Sequence, residues 1–142
     1  MEAHKIIITG GATRIGAAIA KKLSGPNKEI LIHYNKSKVK AETLKKELEK
    51  NGTKIYLAKG DLSKETDVNK IVKFAKSKLK YFDCLINNAS LFENDKLDNF
   101  TTDSWGKHLR TNLRTPALPV SYTHLRAHET RGNLVCRLLL EK

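Results

Sequence analysis

The sequence predicts an α/β fold, a parallel sheet wound on both faces by helices. Three observations carry that expectation. Short apolar runs without polar alternation recur along the chain, as in strands covered on both faces. Each run is followed by a stretch with apolar residues at helical spacing. A glycine-rich turn separates the first run from the first helical stretch.

Taken in order, KIIIT (5–9) is a buried strand, and IGAAIAKKL (15–23) a helix with Ile15, Ile19 and Leu23 on one face. After the turn signal SGPN, EILIHY (29–34) forms the second strand. The second helix occupies residues 37–50, and Asn51-Gly52 suit a left-handed cap at its end. KIYLAK (54–59) is the third strand. The third helix runs from about Lys64 to Leu79, with Val68, Ile71, Val72, Ala75 and Leu79 at helical spacing. Ser63 is its expected N-cap, and Thr66 falls where a capping box would place an acid. DCLINN (83–88) is the fourth strand, and a helix from Thr102 or Asp103 carries Trp105, Leu109, Asn112 and Leu113. The strand order expected is 3-2-1-4, an incomplete Rossmann-type sheet.

At 142 residues the chain has the size of one domain and can bury a real core. Its net charge of +12 raises the question of nucleic acid. The lysines are spread along helices and interleaved with acids, as in KAETLKKELEK, and few aromatics stand among them to stack bases. These are solvated faces, and the basic balance suits a small anionic ligand. Two cysteines, Cys84 and Cys136, make neither a disulfide framework nor a Cys-x-x-Cys motif. The first residues run straight into KIIITGG, too soon for a signal peptide, and no apolar run approaches the ~20 residues that span a bilayer. The expectation is a cytoplasmic, soluble domain that takes a small-molecule substrate, with no metal, nucleic-acid or membrane partner.

TGGATRIG (9–16) follows the first strand and opens the first helix. A loop in that place must turn tightly and bring backbone N–H groups against a pyrophosphate, which the helix N-terminus then favours. Gly10 and Gly16 supply the missing side chains, and Arg14 sets a permanent cation beside the phosphates. At the end of the second strand a carboxylate would bind a ribose 2′-hydroxyl and repel a 2′-phosphate. The chain offers HYNKS there instead, and Lys36 and Ser37 suit a phosphate. NADP is therefore expected over NAD.

From residue 5 to about 118 these motifs resemble the short-chain dehydrogenase/reductase family. TGGATRIG resembles its Thr-Gly-x-x-x-Gly-x-Gly loop, with Arg14 in place of the middle glycine. The resemblance implies cofactor contacts from Gly10, Arg14, Ile15 and Gly16, and from His33, Tyr34, Asn35, Lys36 and Ser37. GDLS (60–63) resembles the segment that holds the adenine, a role carried here by Asp61 and Leu62. NNAS (87–90) resembles Asn-Asn-Ala-Gly, so that Asn87 would brace the sheet while Asn88, Ala89 and Ser90 line the ribose and nicotinamide side. TNLRTP (111–116) resembles the segment with the catalytic asparagine, which places Asn112 on a proton-relay water. The arginine-bearing loop, HYNKS and NNASLF together are similar to the pteridine reductase branch. There Arg14 would touch cofactor phosphate and substrate, Ser90 would lie by the nicotinamide, and Phe92 would sandwich a pterin ring against it, although Phe92 equally suits a core anchor. The implied chemistry is hydride transfer from NADPH to a carbonyl or pteridine-like substrate, in a homotetramer or homodimer. A non-enzymatic dinucleotide-binding or redox-sensing module shares every one of these motifs.

The family's Tyr-x-x-x-Lys pair follows a fifth strand. Tyr122 comes too soon after Asn112 for that strand to intervene, and Arg126 cannot replace the amine of the lysine. PVSYTHLRAHET can instead be back-translated as CTGTCTCTTATACACATCT followed by CCGAGCCCACGAGAC, the letters of a transposase-based sequencing-library adapter. Asn133 to Glu141 continue the adapter in frame. The expectation is an N-terminal part of a cofactor-binding domain at 1–118 and a non-native tail at 119–142, without the Tyr-x-x-x-Lys site and without turnover.

Overall fold

The computed structural model describes residues 4–90 and 101–114. Four parallel strands alternate with helices: β1 (His4–Ile8), α1 (Arg14–Leu23), β2 (Lys28–Tyr34), α2 (Lys38–Glu49), β3 (Lys54–Lys59), α3 (Glu65–Leu79), β4 (Cys84–Ile86) and α4 (Thr102–Leu109). The sheet order is β3-β2-β1-β4, as the sequence predicts. Every strand pair is parallel, with Ile8 beside Ile32 on one side and Ile86 on the other.

The period of two along each strand divides the core between the two faces. Ile6, Ile8, Ile30, Ile32 and Ile55 pack with Ala20 of α1 and with Ala41, Leu44 and Leu48 of α2. Ile7, Leu31, Ala58 and Leu85 face the other way, against Val68, Ile71, Ala75 and Leu79 of α3. Strands buried on both faces explain why these runs are apolar throughout rather than alternating. Among the described residues β3 and β4 are the edge strands.

Some local expectations need correction. Ile15 is 67% exposed and does not join Ile19 and Leu23 against the core, because on the first turn of α1 it lines an open cavity instead. Ser63 does not cap α3. Its N–H and hydroxyl both donate to Asp61 Oδ1, and Lys64 takes the cap position without a side-chain bond. The third-residue acid of α3 is Asp67, which accepts the backbone N–H of Asp61. Gly52 does adopt a left-handed φ of 78° behind α2. Phe92 and residues 119–142 lie outside the described residues.

Candidate functional site

A cavity of about 840 Å³ opens at the head of α1, where the chain leaves β1, β2 and β4. The order β3-β2-β1-β4 reverses direction between β1 and β4, and open α/β sheets bind ligands at such a switch point.

The loop over this cavity is held from below. Gly10 has φ 62°, and a Cβ there would stand 2.9 Å from Ala89 Cα. At Gly16 a Cβ would collide with the Gly10 carbonyl oxygen and come within 2.5 Å of Asn88 Nδ2. Both positions therefore require glycine. Asn88 Nδ2 donates to the carbonyl oxygens of Thr9 and Gly10, at 3.1 Å each. Thr9 Oγ1 accepts the N–H groups of Asn88 and Ala89. The end of β1 is thus fastened to the end of β4, and Asn88 does the bracing expected of Asn87.

Arg14 stands at φ 48°, in the left-handed region that disfavours a side chain. That backbone shape explains why glycine suits this position and why arginine here carries a conformational cost. Its side chain is exposed at the cavity rim, and among the described residues no carboxylate pairs with it. Thr13 makes no side-chain cap on α1, whose first turn holds no acid. The first turn of α2 also holds none, whereas α3 carries Glu65 and Asp67 and α4 carries Asp103. The two helices that open on the cavity therefore keep the positive ends of their dipoles uncompensated.

At the end of β2, Asn35 and Ser37 line the cavity. Tyr34 is turned into the core instead. Lys36 is exposed outside the lining, and the lining cation on α2 is Lys40. Among the described residues the one lining carboxylate, Glu47, is half-exposed and paired with Lys21 at 2.8 Å. The His33 ring is buried, with Nδ1 accepting from the Gly10 N–H and Nε2 against the Gly60 carbonyl. Burial pushes its pKa below the ordinary value, against the Gly60 bond and the charge of Asp61.

Ala89 and Ser90 line the far wall. Asp61 and Leu62 stand outside the lining, with Leu62 in the core under α3. Hydrogen bonds from Ser63 hold the Asp61 carboxylate below the usual range and occupy Oδ1. Asn112 is exposed in the wide turn Arg110–Arg114 that continues α4, also outside the lining. Sequence reasoning missed Thr13 and Lys40, both in the cavity wall. Lys40 stands three residues after Ser37 on the first turn of α2, and that helical spacing was the signal to follow.

The cavity, the glycine crossing, a rim cation and a β2 end without acid fit an elongated polyanion such as a dinucleotide. A family model described as short chain dehydrogenase matches residues 4–136. The chain belongs to the short-chain dehydrogenase family. The chain is 34% identical over 114 residues to the short-chain dehydrogenase/reductase FrzI of a Cladobotryum species, covering 80% of this chain and 44% of that one. It is similar to a solved short chain dehydrogenase from Burkholderia cenocepacia in complex with NADP, with 27% identity and a TM-score of 0.80 over 87% of this chain and 51% of that one. The FolM alternative dihydrofolate reductase 1 from Brucella canis, complexed with NADP, matches at 28% identity and a TM-score of 0.78, over 91% of this chain and 52% of that one. The chain therefore spans about half the length of the relatives it matches. The family match extends past residue 118, the boundary expected from the sequence.

Proposed function

We propose that the whole protein is an NADPH-dependent short-chain reductase, acting on a carbonyl or pteridine-like substrate, and that residues 1–118 of this chain are its cofactor half. The observation that carries this reading is the cavity at the head of α1, with glycine demanded at Gly10 and Gly16 and an exposed Arg14 in its lining. When bound, NADPH supplies the hydride, and the protein supplies binding, orientation and a proton.

In this reading the N-terminus of α1 and Arg14 hold the pyrophosphate. Ser37, Lys36 and Lys40 receive the 2′-phosphate. Asp61 keeps Oδ2 for the adenine amino group, because Ser63 engages Oδ1. Ala89 and Ser90 guide the nicotinamide side, and Asn112 holds a relay water. NADP in the related Burkholderia and Brucella structures supports the coenzyme. The pteridine-like substrate draws support from the Brucella protein's name as a dihydrofolate reductase, since dihydrofolate contains a pterin ring. Arg14, Ser90 and Phe92 are the residues assigned to that substrate.

The tail at 119–142 is read as translated adapter, so the proton donor of the whole enzyme is missing and this chain does not turn over. The intact protein is a cytoplasmic homotetramer or homodimer in the same reading. The nucleotide sequence across codons 117–120, followed into the uninterrupted gene, tests it. The expected result is a fifth strand and then Tyr-x-x-x-Lys. A continuous gene without that pair would sink the enzyme reading and leave a dinucleotide-binding module.

A further inference from the structure

We infer that His33 is a positioning residue for the dinucleotide site, a neutral imidazole that fastens the phosphate loop to the adenine-side loop. The inference rests on the dinucleotide reading above and adds to it how the two halves of the site are held in register.

The geometry leaves the ring one tautomer. Nε2 lies 3.0 Å from the Gly60 carbonyl oxygen, so it carries the proton and donates. Nδ1 receives the Gly10 N–H at 3.1 Å, so it is bare and accepts. Gly10 belongs to the phosphate loop, and Gly60 directly precedes Asp61. The backbone of β2 repeats the same linkage, since the His33 carbonyl accepts the Gly11 N–H at 3.0 Å and the Tyr34 carbonyl accepts the Gly60 N–H at 3.1 Å. An apolar residue at position 33 would fill the strand equally well but would leave the Gly10 N–H and the Gly60 carbonyl without their partner.

The clamp sets the loop before any ligand arrives. Gly10 has its N–H taken by His33 and its carbonyl taken by Asn88. With the Gly11 N–H held by the His33 carbonyl as well, the start of the loop is anchored at three points. A protonated ring has an N–H at both nitrogens, so the Gly10 N–H would face a donor and the loop would lose one anchor. The charged groups around the ring are few. Asp61, on the loop after β3, favours protonation, and burial outweighs it. Asp67 of α3 is turned to the Asp61 N–H, while Arg14 of the loop and Lys59 at the end of β3 are solvent-exposed.

The test uses the full chain, with NADP⁺ titrated calorimetrically from about pH 8 to about pH 5, a range that brackets the ordinary histidine value. Three proteins are compared: wild type, His33→Asn, whose Oδ1 replaces Nδ1 as acceptor and cannot be protonated, and His33→Phe, which keeps the ring and loses both bonds. The 2′-phosphate of NADP⁺ titrates in the same range, so the difference between wild type and His33→Asn isolates the histidine. Wild type should lose about tenfold more affinity than His33→Asn as the pH falls through the lowered value of the buried ring, and folded His33→Phe should bind about tenfold more weakly at pH 8. Undiminished affinity in a folded His33→Phe would overturn the inference, and so would superposable profiles for wild type and His33→Asn through the pH at which the His33 ring, followed by NMR, becomes protonated. Where His33→Phe does not fold, the comparison with His33→Asn decides alone. A wild-type chain that binds neither NADP⁺ nor NAD⁺ overturns the dinucleotide reading itself, which variants that bind as well as wild type would leave standing.

Discussion

Asn88 holds Gly10 by its carbonyl, with Nδ2 at 3.1 Å from the oxygen, and the same amide nitrogen reaches the carbonyl of Thr9. One side chain from the end of β4 thereby sets the shape of the loop after β1. Asn88→Ala leaves both carbonyls without this donor and should cost about 1–2 kcal/mol. Asn88→Asp should cost more, because a carboxylate faces two carbonyl oxygens. Thermal unfolding followed by circular dichroism checks the order, and an Asn88→Ala protein as stable as wild type would contradict it.

Gly16 is the second fixed point of the loop. A methyl group there meets the Gly10 carbonyl, Asn88 Nδ2 and, at 2.8 Å, the Cα of Gly11, all of which are anchored. Gly16→Ala should therefore destabilise the fold by about 1–3 kcal/mol and weaken dinucleotide binding, because backbone cannot give way as a flexible side chain can. Gly25 is the control. A Cβ there meets no atom within 4 Å, although its φ of 159° leaves Gly25→Ala with some backbone strain. The smaller loss of melting temperature should belong to Gly25→Ala.

Most of the fold was legible because strands covered on both faces leave an unbroken apolar signature, and four such runs separated by helical patterns admit few topologies. KIYLAK is found at Lys54–Lys59 as read, and the other elements shift by only a few residues at their ends. Glycines of the loop were legible for the same reason: no other residue fits a crossing of backbone on backbone. What failed to show in the letters was the direction of polar side chains. Nothing in NNAS says which asparagine reaches back to β1, and nothing in DLSKE says that Ser63 bonds Asp61 instead of capping α3. His33 read as a cofactor contact, yet its ring is spent on two backbone partners. Lys40 was hidden by reading along the strand end when the helix turn carries it into the cavity.

Coenzyme choice should respond to charge at the β2 end. Asn35 lines the cavity just past the end of β2, where the dinucleotide reading puts the ribose. Asn35→Asp should reduce NADPH affinity by about tenfold and improve NADH, since charge-assisted bonds to a phosphate are lost to repulsion. Lys40→Gln and Lys36→Gln should each weaken NADPH while leaving NADH nearly unchanged. Parallel titrations with the two reduced coenzymes separate these effects, and equal losses for both would remove the 2′-phosphate role.

Stability should fall in two steps as the solution is acidified. His33 has a folded pKa below 6.5, so its neutral form contributes stability that is present above 6.5 and lost as the pH falls from there through the folded value. Asp61 has a folded pKa below 3.8, so its contribution is present above 3.8 and lost as the pH falls through the still lower folded value. Melting temperatures across the acid range should show the upper step in wild type and not in His33→Asn. Asp61→Asn should remove the lower one. An upper step that persists in His33→Asn would assign it to another group.

A dinucleotide site built for a 2′-phosphate is tested most directly by calorimetric titration of the purified chain with NADPH and NADH at neutral pH. The expected result is saturable binding of one NADPH per chain, at least about tenfold tighter than NADH. Equal affinity for the two, or no binding of either by a folded chain, would contradict it.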